Sequence, residues 1–291
     1  MDEIEFWLYR YENPAPHKVD FIPVRKLTSE EYDSAGKAIK IVSDAMRGFD
    51  DYLRRAMDDL RKTVAELLIK LADINFARQS ELWVPDIKYR VLNVSAGLRM
   101  YEEYVEAEVG RHWTENSPQW ESMKDVFHDL YDGSLSYRIV YYLRNALVHG
   151  AGSLTIVKAR TWLETDDGPE HAKAEFNLFL SRSAFVKTVK AKAALRDEVA
   201  NLASDPDLIG LCEQAYVDVT KEKARLFPYV HPEVPAAANL LFQYIVELQA
   251  AGGGGPHFHS HAPGNGFEKL SQLAMTRSVF DYVIDPGHRT A

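Results

Sequence analysis

The chain has a single cysteine, Cys212, among its 291 residues. One cysteine excludes an intramolecular disulfide and is typical of proteins that fold in a reducing compartment. No run of about 18 consecutive apolar residues occurs, so we expect no membrane-spanning helix. Residues 1–5 are acidic and lack the apolar centre of a signal peptide. These absences together predict a cytoplasmic protein without a membrane attachment.

Positive charge is also scarce in this sequence. Lysine and arginine total 34, against 43 aspartates and glutamates, and the net charge is -9. The protein as a whole therefore cannot attract nucleic acid by a positive field, and any RNA-binding surface must be a local patch. Hydrophobic residues make up 46% and charged residues 26%, as in a globular protein with one large domain or two ordinary ones.

Apolar residues recur every three or four positions over long stretches, which is the period of an α-helix. The first such stretch begins after residues 28–31, a typical helix start, and continues to Leu71 with Gly48 as its only weak point. A second begins at Pro85 and runs to Val109, and the short connection between them predicts antiparallel neighbours. A third helix begins at Ser117 and Pro118, which suit the cap and the first helical position.

The fourth helix, 134–149, carries the most chemistry. At about 100° per residue, one half of it is an apolar core face, and the other half gathers two arginines, an amide, two phenols and an imidazole. The residues assigned to this second half are Ser134, Tyr137, Arg138, Tyr141, Arg144, Asn145, Val148 and His149. Gly150 can end the helix in a left-handed conformation. The simplest arrangement of the four helices is an up-and-down bundle.

The pattern Arg-Asn-x-x-x-His, at Arg144, Asn145 and His149, resembles the motif of the HEPN family (higher eukaryotes and prokaryotes nucleotide-binding domains). The resemblance covers roughly residues 29–151. It implies a helical domain that, in the ribonuclease members, cleaves RNA without a metal ion, and it implies a homodimer in which two motif helices face each other. Other members only bind nucleotides or RNA.

The residue chemistry agrees with RNA cleavage through the 2′-hydroxyl, with no metal and no cofactor. His149 has the pKa range of a general acid or base near neutral pH, and Arg144 offers a planar, permanently charged fork for phosphate oxygens. Asn145 could orient the imidazole or contact phosphate. We assign the catalytic roles to these three residues. Substrate binding is assigned to Arg138, Tyr141 and Tyr137, which could hold phosphate or stack a base, although packing is an equally good explanation of them.

The remainder of the chain predicts strands, a hairpin and further helices. The predicted parts of the whole chain are N-terminal strands over 1–27, the helical domain over 28–151, a β-hairpin over 152–186, C-terminal helices over 187–251, and a Gly-rich linker with a terminal helix over 252–291. Pro23 predicts that the second N-terminal strand is an edge strand. The N-terminal strands could join the hairpin. We interpret His257, His259 and His261 as part of a solvated loop rather than a metal site.

The sequence therefore predicts an α+β, mainly α protein with a HEPN-like four-helix bundle. Its predicted function is a metal-independent endoribonuclease that acts as a toxin or defence effector. The predicted partners are RNA, a second copy of the chain and a regulatory protein. Two alternatives stay open: a non-catalytic HEPN module that binds RNA, nucleotide or protein, and a structural bundle in which Arg144 and His149 only hold the fold.

Overall fold

The computed structural model describes residues 4–15, 18–148, 154–164, 171–261 and 269–288. Most of them are helical and the strands form small antiparallel sheets, so the predicted α+β, mainly α class is confirmed. The helices are α1 Ser29–Arg47, α2 Asp51–Leu71, α3 Ile74–Ala77, α4 Ser80–His112, α5 Pro118–Gly133, α6 Leu135–Val148, α7 Arg182–Thr188, α8 Ala193–Ala200, α9 Leu208–Val230, α10 Val234–Ala250 and α11 Arg277–Ile284. The strands are β1 Glu5–Ala15, β2 Lys18–Leu27, β3 Thr155–Glu164, β4 His171–Leu180, β5 Pro256–His261 and β6 Lys269–Ala274.

The chain divides into two compact units, and their boundaries differ from the predicted ones. The sheet unit consists of residues 1–48 and 231–291, and the helical unit consists of residues 49–230. The predicted helical domain 28–151 is therefore not a unit, because α1 belongs with the C-terminal elements. None of the described helices contains a window apolar enough to cross a membrane.

Gly48 separates the two units at the point where the sequence predicts one continuous helix. Its φ of 77° and ψ of 143° lie outside the helical region, and a positive φ favours glycine over any residue with a side chain. The helix predicted to run through to Leu71 is consequently two helices. Val42 of α1 packs with Leu241 and Ile245 of α10, whereas α2 packs on α4.

The predicted antiparallel contact between the first two helical stretches corresponds to α2 and α4. They approach closely at Gly97, where an added Cβ would lie 3.2 Å from the Cα of Leu53. The apolar stripe of α4 is buried as predicted, and Val91 and Leu98 are fully inaccessible. Pro85 lies inside α4, at its sixth residue, and not at its start, so this position cannot donate to the carbonyl of Glu81 four residues earlier.

Helix α6 lies between α4 and α9, two helices that hold it from different sides. The Ser95 hydroxyl of α4 donates to the carbonyl of Val140 at 2.5 Å, and the Ser134 hydroxyl, at the start of α6, donates to the Asp218 carboxylate of α9 at 2.7 Å. The helical core thus includes α9, a helix of 23 residues that the predicted four-helix bundle lacks.

The hairpin formed by β3 and β4 belongs to the helical unit. Its strands pair antiparallel from Thr155 opposite Leu180 to Glu164 opposite His171. The second strand ends at Leu180 and not at 186, because the Ser181 side chain accepts a hydrogen bond from the Ala184 N–H and starts α7. Among the described strands, β3 and β4 pair only with each other, so the N-terminal strands do not join this hairpin.

The N-terminal strands instead pair with β5 and β6 in a sheet of order β2-β1-β5-β6. β2 is an edge strand, as Pro23 predicts. The predicted linker at Gly252–Gly255 is a turn into β5, in which Gly252, Gly253 and Gly254 have φ values of 111°, 86° and 103°. The predicted terminal helix is β6 followed by α11.

The three histidines lie on β5, so the prediction of a solvated loop is wrong. Phe258 points to the helices of the sheet unit, and the alternating histidines point to the other face. His259 and His261 are only 3% and 5% exposed. Tyr9 stacks on His259 with ring centroids 4.5 Å apart, and its hydroxyl is hydrogen-bonded to His261, 252 positions later in the chain, at 3.0 Å. The strand is buried because the distant β1 pairs with it.

Candidate functional site

The last turn of α6 presents its polar side chains to solvent. Arg144 and Asn145 are exposed side by side, and Val148 is 58% exposed, whereas Leu143 and Ala146 face the core. This turn is the part of α6 where the predicted division into a core face and a polar face holds. His149, the third motif residue, lies outside the described residues.

Arg144 differs from many other arginines of the protein because it takes part in no ion pair within the described part of the chain. Arg111, for comparison, lies near the end of α4 with its side chain 68% exposed, and it is paired with Glu108. An exposed guanidinium without a carboxylate partner can receive an anion without first giving up another contact.

Arg138, unlike Arg144, is already bound to a carboxylate. The prediction that Arg138 binds substrate is therefore wrong. Its side chain is only 16% exposed, and its two terminal nitrogens donate to the Glu198 carboxylate of α8 at 2.7 and 3.1 Å. A phosphate would have to displace this bidentate partner. Arg138 therefore joins α6 to α8 instead of presenting charge to a ligand.

The prediction that Tyr137 binds substrate is also wrong. The ring is 2% exposed and belongs to the core of the helical unit, and burial raises the pKa of its hydroxyl. A base cannot stack on a side chain that solvent does not reach. The helical projection assumed one solvent-facing side, but α4 and α9 cover α6 on both sides at this level.

Tyr141 is half-buried and sits against Arg99 of α4. The Arg99 guanidinium lies 3.9 Å from the ring centroid and also donates to the Tyr141 hydroxyl. Burial, followed by the negative charge of Glu102, raises the pKa of Tyr141 to about 12. The hydroxyl therefore keeps its proton at neutral pH and donates it in a hydrogen bond to the Glu102 carboxylate.

Arg99 and Glu102 are the residues near the motif that the sequence did not indicate. They stand three positions apart on α4, and both interact with Tyr141. Burial raises the pKa of Glu102, although the hydrogen bond from Tyr141 acts in the opposite direction. Their spacing predicts that Arg99 and Glu102 lie on the same face of α4. The sequence of α4 does not predict that this face packs against α6.

The arrangement is suited to holding an anion at the end of α6. Arg144 supplies charge, Asn145 supplies an amide, and Tyr141 with Arg99 lies one turn earlier on the same side as Asn145. Within the described residues, no group of three histidine, cysteine, aspartate or glutamate side chains could share a metal ion, the β5 histidines included.

Comparison of the chain with protein-family models finds no match, and comparisons with curated proteins and with solved structures find no significant similarity. Function is therefore inferred from the residues of this chain and from the motif resemblance alone.

Proposed function

We propose that the protein is a metal-independent endoribonuclease of the HEPN type, with its active site at the end of α6. The observation that carries this proposal is the solvent exposure of Arg144 and Asn145, side by side, on a helix whose other half is core. A purely structural role predicts that such an arginine is buried or paired with a carboxylate. Arg144 is neither within the described part of the chain.

The proposed reaction breaks the bond between phosphorus and the 5′-oxygen of RNA. The 2′-oxygen attacks the neighbouring phosphorus while a general base takes its proton, and a general acid gives a proton to the departing 5′-oxygen. The products are a 2′,3′-cyclic phosphate and a 5′-hydroxyl. We assign the proton transfers to His149 and the stabilisation of the phosphorane charge to Arg144, with Asn145 orienting the imidazole or contacting phosphate.

The first test is RNA cleavage by the wild-type protein in excess EDTA. We expect a mixed-sequence RNA to be cut and its 5′ fragments to end in a cyclic phosphate, whereas the matching 2′-deoxy oligonucleotide stays intact because it lacks the nucleophile. Cleavage that disappears with EDTA, or equal cleavage of the deoxy oligonucleotide, would contradict the proposed chemistry.

The proposal includes a homodimer with two motif helices facing each other. One chain supplies only one motif arginine and one motif histidine. A two-fold axis beside α6 would bring the arginine and the histidine of both chains into one cleft. The long stripes of α2 and α4 cannot form this interface, because they are buried inside the unit. Exposed apolar side chains remain at Tyr89 and Met100 of α4 and at Val148 of α6, which are 55%, 45% and 58% exposed.

We expect a mixture of Arg144→Ala and His149→Ala chains to regain part of the activity that each lacks alone, because each composite site would draw residues from both chains. Light scattering of the wild type should give twice the chain mass of 33.1 kDa. Full activity from a species of single-chain mass at assay concentration would exclude the composite site.

Such an enzyme would act in the cytoplasm as a toxin or defence effector, held in check by a regulatory protein. The single, buried Cys212 supports a reducing compartment, because it requires no oxidation for folding.

A further inference from the structure

The outer face of the β3–β4 hairpin carries an exposed row of cations and aromatic rings. Inward-pointing residues such as Phe176 and Leu178 join the core, and the alternating residues form what we call the outer hairpin face. Its members with described side chains are Ile156, Lys158, Arg160, Trp162, Lys173, Glu175, Asn177 and Phe179. Three of them are cations and one is an anion, in a protein whose net charge is -9.

The cations of β3 on this face lie over aromatic rings, and the charge of Lys158 also contributes to lowering the pKa of Asp205. The Lys158 ammonium lies 5.0 Å from the centroid of Phe179, and the Arg160 guanidinium lies 5.5 Å from that of Trp162. Neither Lys158 nor Arg160 forms an ion pair within the described part of the chain. Glu175 stands opposite Arg160 in the register, but its carboxylate accepts a hydrogen bond from the Asn177 side chain at 2.8 Å.

The spacing of this row matches an extended polyanion. Lys158 and Arg160 are two positions apart on β3, or about 6.8 Å at 3.4 Å per residue, a step comparable with the distance between successive phosphates of an extended single strand. Trp162 is 37% exposed and continues the same row. Positive charge that alternates with exposed aromatic surface is the pattern of single-strand binding, in which phosphates meet cations and bases stack on rings.

The hairpin is also tethered to the motif. Thr155, the first residue of β3, follows seven positions after Val148, the last described residue of α6, so their Cα atoms are at most about 25 Å apart. Thr161 fixes the hairpin on the helices, because its hydroxyl donates to the carbonyl of Leu71 at 2.7 Å. The hairpin therefore begins a few residues after the motif helix, and the helical unit holds its position.

We propose that the outer hairpin face binds single-stranded RNA and delivers it to the end of α6. The identity of the ligand as RNA rests on the proposed function, whereas binding to a single strand does not require cleavage. The face contacts phosphates through Lys158 and Arg160, and it stacks bases on Trp162. Sequence preference is not expected, because the proposed contacts are to phosphates and to the faces of bases, not to base edges.

The test measures binding of a fluorescent, mixed-sequence 2′-deoxy single strand by anisotropy at about 0.1 M salt. We expect the double variant Lys158→Glu/Arg160→Glu to lose at least tenfold in affinity, and the dependence of log K on log salt to become shallower by about 1.4, or 0.7 per lost phosphate contact. Trp162→Ala should lose about tenfold without a change in this slope.

The matched control is Arg55→Glu/Lys62→Glu, which reverses the same charge on α2 at side chains that are 74% and 76% exposed. It should bind as the wild type does. Arg55 and Lys62 form exposed pairs with Asp51 and Glu66 on α2, and such pairs contribute only about 0.5 kcal/mol or less each, so each variant should melt within a few degrees of the wild type. The double variant Lys158→Gln/Arg160→Gln removes the two charges without reversing them. Its affinity provides a second measurement if the charge reversal disturbs the strand.

The outcomes separate this inference from the proposed function. Hairpin-dependent binding without RNA cleavage would uphold the inference and remove the ribonuclease. Cleavage that persists with unchanged KM in the hairpin variant, equal binding by variant and control, or no binding by the wild type would overturn the inference. Displacement of the oligonucleotide by an equal charge concentration of polyglutamate would also overturn it, because the face would then recognise an acidic protein.

Discussion

Replacing Arg144 with alanine is expected to lower the rate of RNA cleavage by about 10²–10³ without loss of stability. Removing a preorganised donor from a developing oxyanion typically costs this much. Replacing His149 with alanine is expected to cost about 10²–10⁴, the usual contribution of general acid–base catalysis. The free energy of unfolding of Arg144→Ala should stay within about 0.5 kcal/mol of the wild type, since Arg144 is exposed and outside any described ion pair.

The combination of lost rate and kept stability is what separates catalysis from a structural role. Single-turnover cleavage and thermal melting should be measured on the same preparations. Arg78→Ala serves as the control, because Arg78 is exposed between α3 and α4, takes part in no ion pair within the described residues, and should affect neither quantity. If Arg144→Ala melts several degrees lower and cleaves normally, the structural alternative is right and the proposed mechanism is wrong.

Replacing His259 with alanine is expected to destabilise the protein by about 2–4 kcal/mol, as for other large buried side chains cut back to alanine. His259 is 3% exposed, Tyr9 stacks on it, and the Phe21 ring meets it edge-on with centroids 4.9 Å apart. Its removal leaves a cavity between these rings. For a domain of this size the melting temperature should fall by roughly 10 °C.

Two further variants identify the cause of that loss. His259→Phe keeps a ring between Tyr9 and Phe21 and should recover most of the melting temperature, whereas His128→Ala, at an exposed position of α5, should change it little. Cleavage by folded His259→Ala, measured well below its melting temperature, should match the wild type. An unchanged melting temperature in His259→Ala would show that packing on β5 contributes little to the sheet unit.

Local patterns account for the parts of the fold that were predicted correctly. The period of apolar residues identifies α2 and α4, the serine and proline at 117 and 118 mark the start of α5, and Pro23 identifies an edge strand. Each of these depends on residues within a few turns or a few strand positions, where spacing and backbone chemistry decide the outcome. The exposed positions of Arg144 and Asn145 near the end of α6 also follow from the helical period, whereas their catalytic role stays a prediction.

Long-range contacts decided the rest. The polar half assigned to α6 contains Tyr137, which α4 and α9 bury, and Arg138, which Glu198 binds from 60 residues away. The histidines of β5 resemble a loop in sequence because no nearby residue predicts a pairing with β1. The free energy that buries a side chain or pairs a charge comes from whichever element packs against it, and a local pattern contains no information about the identity of that element.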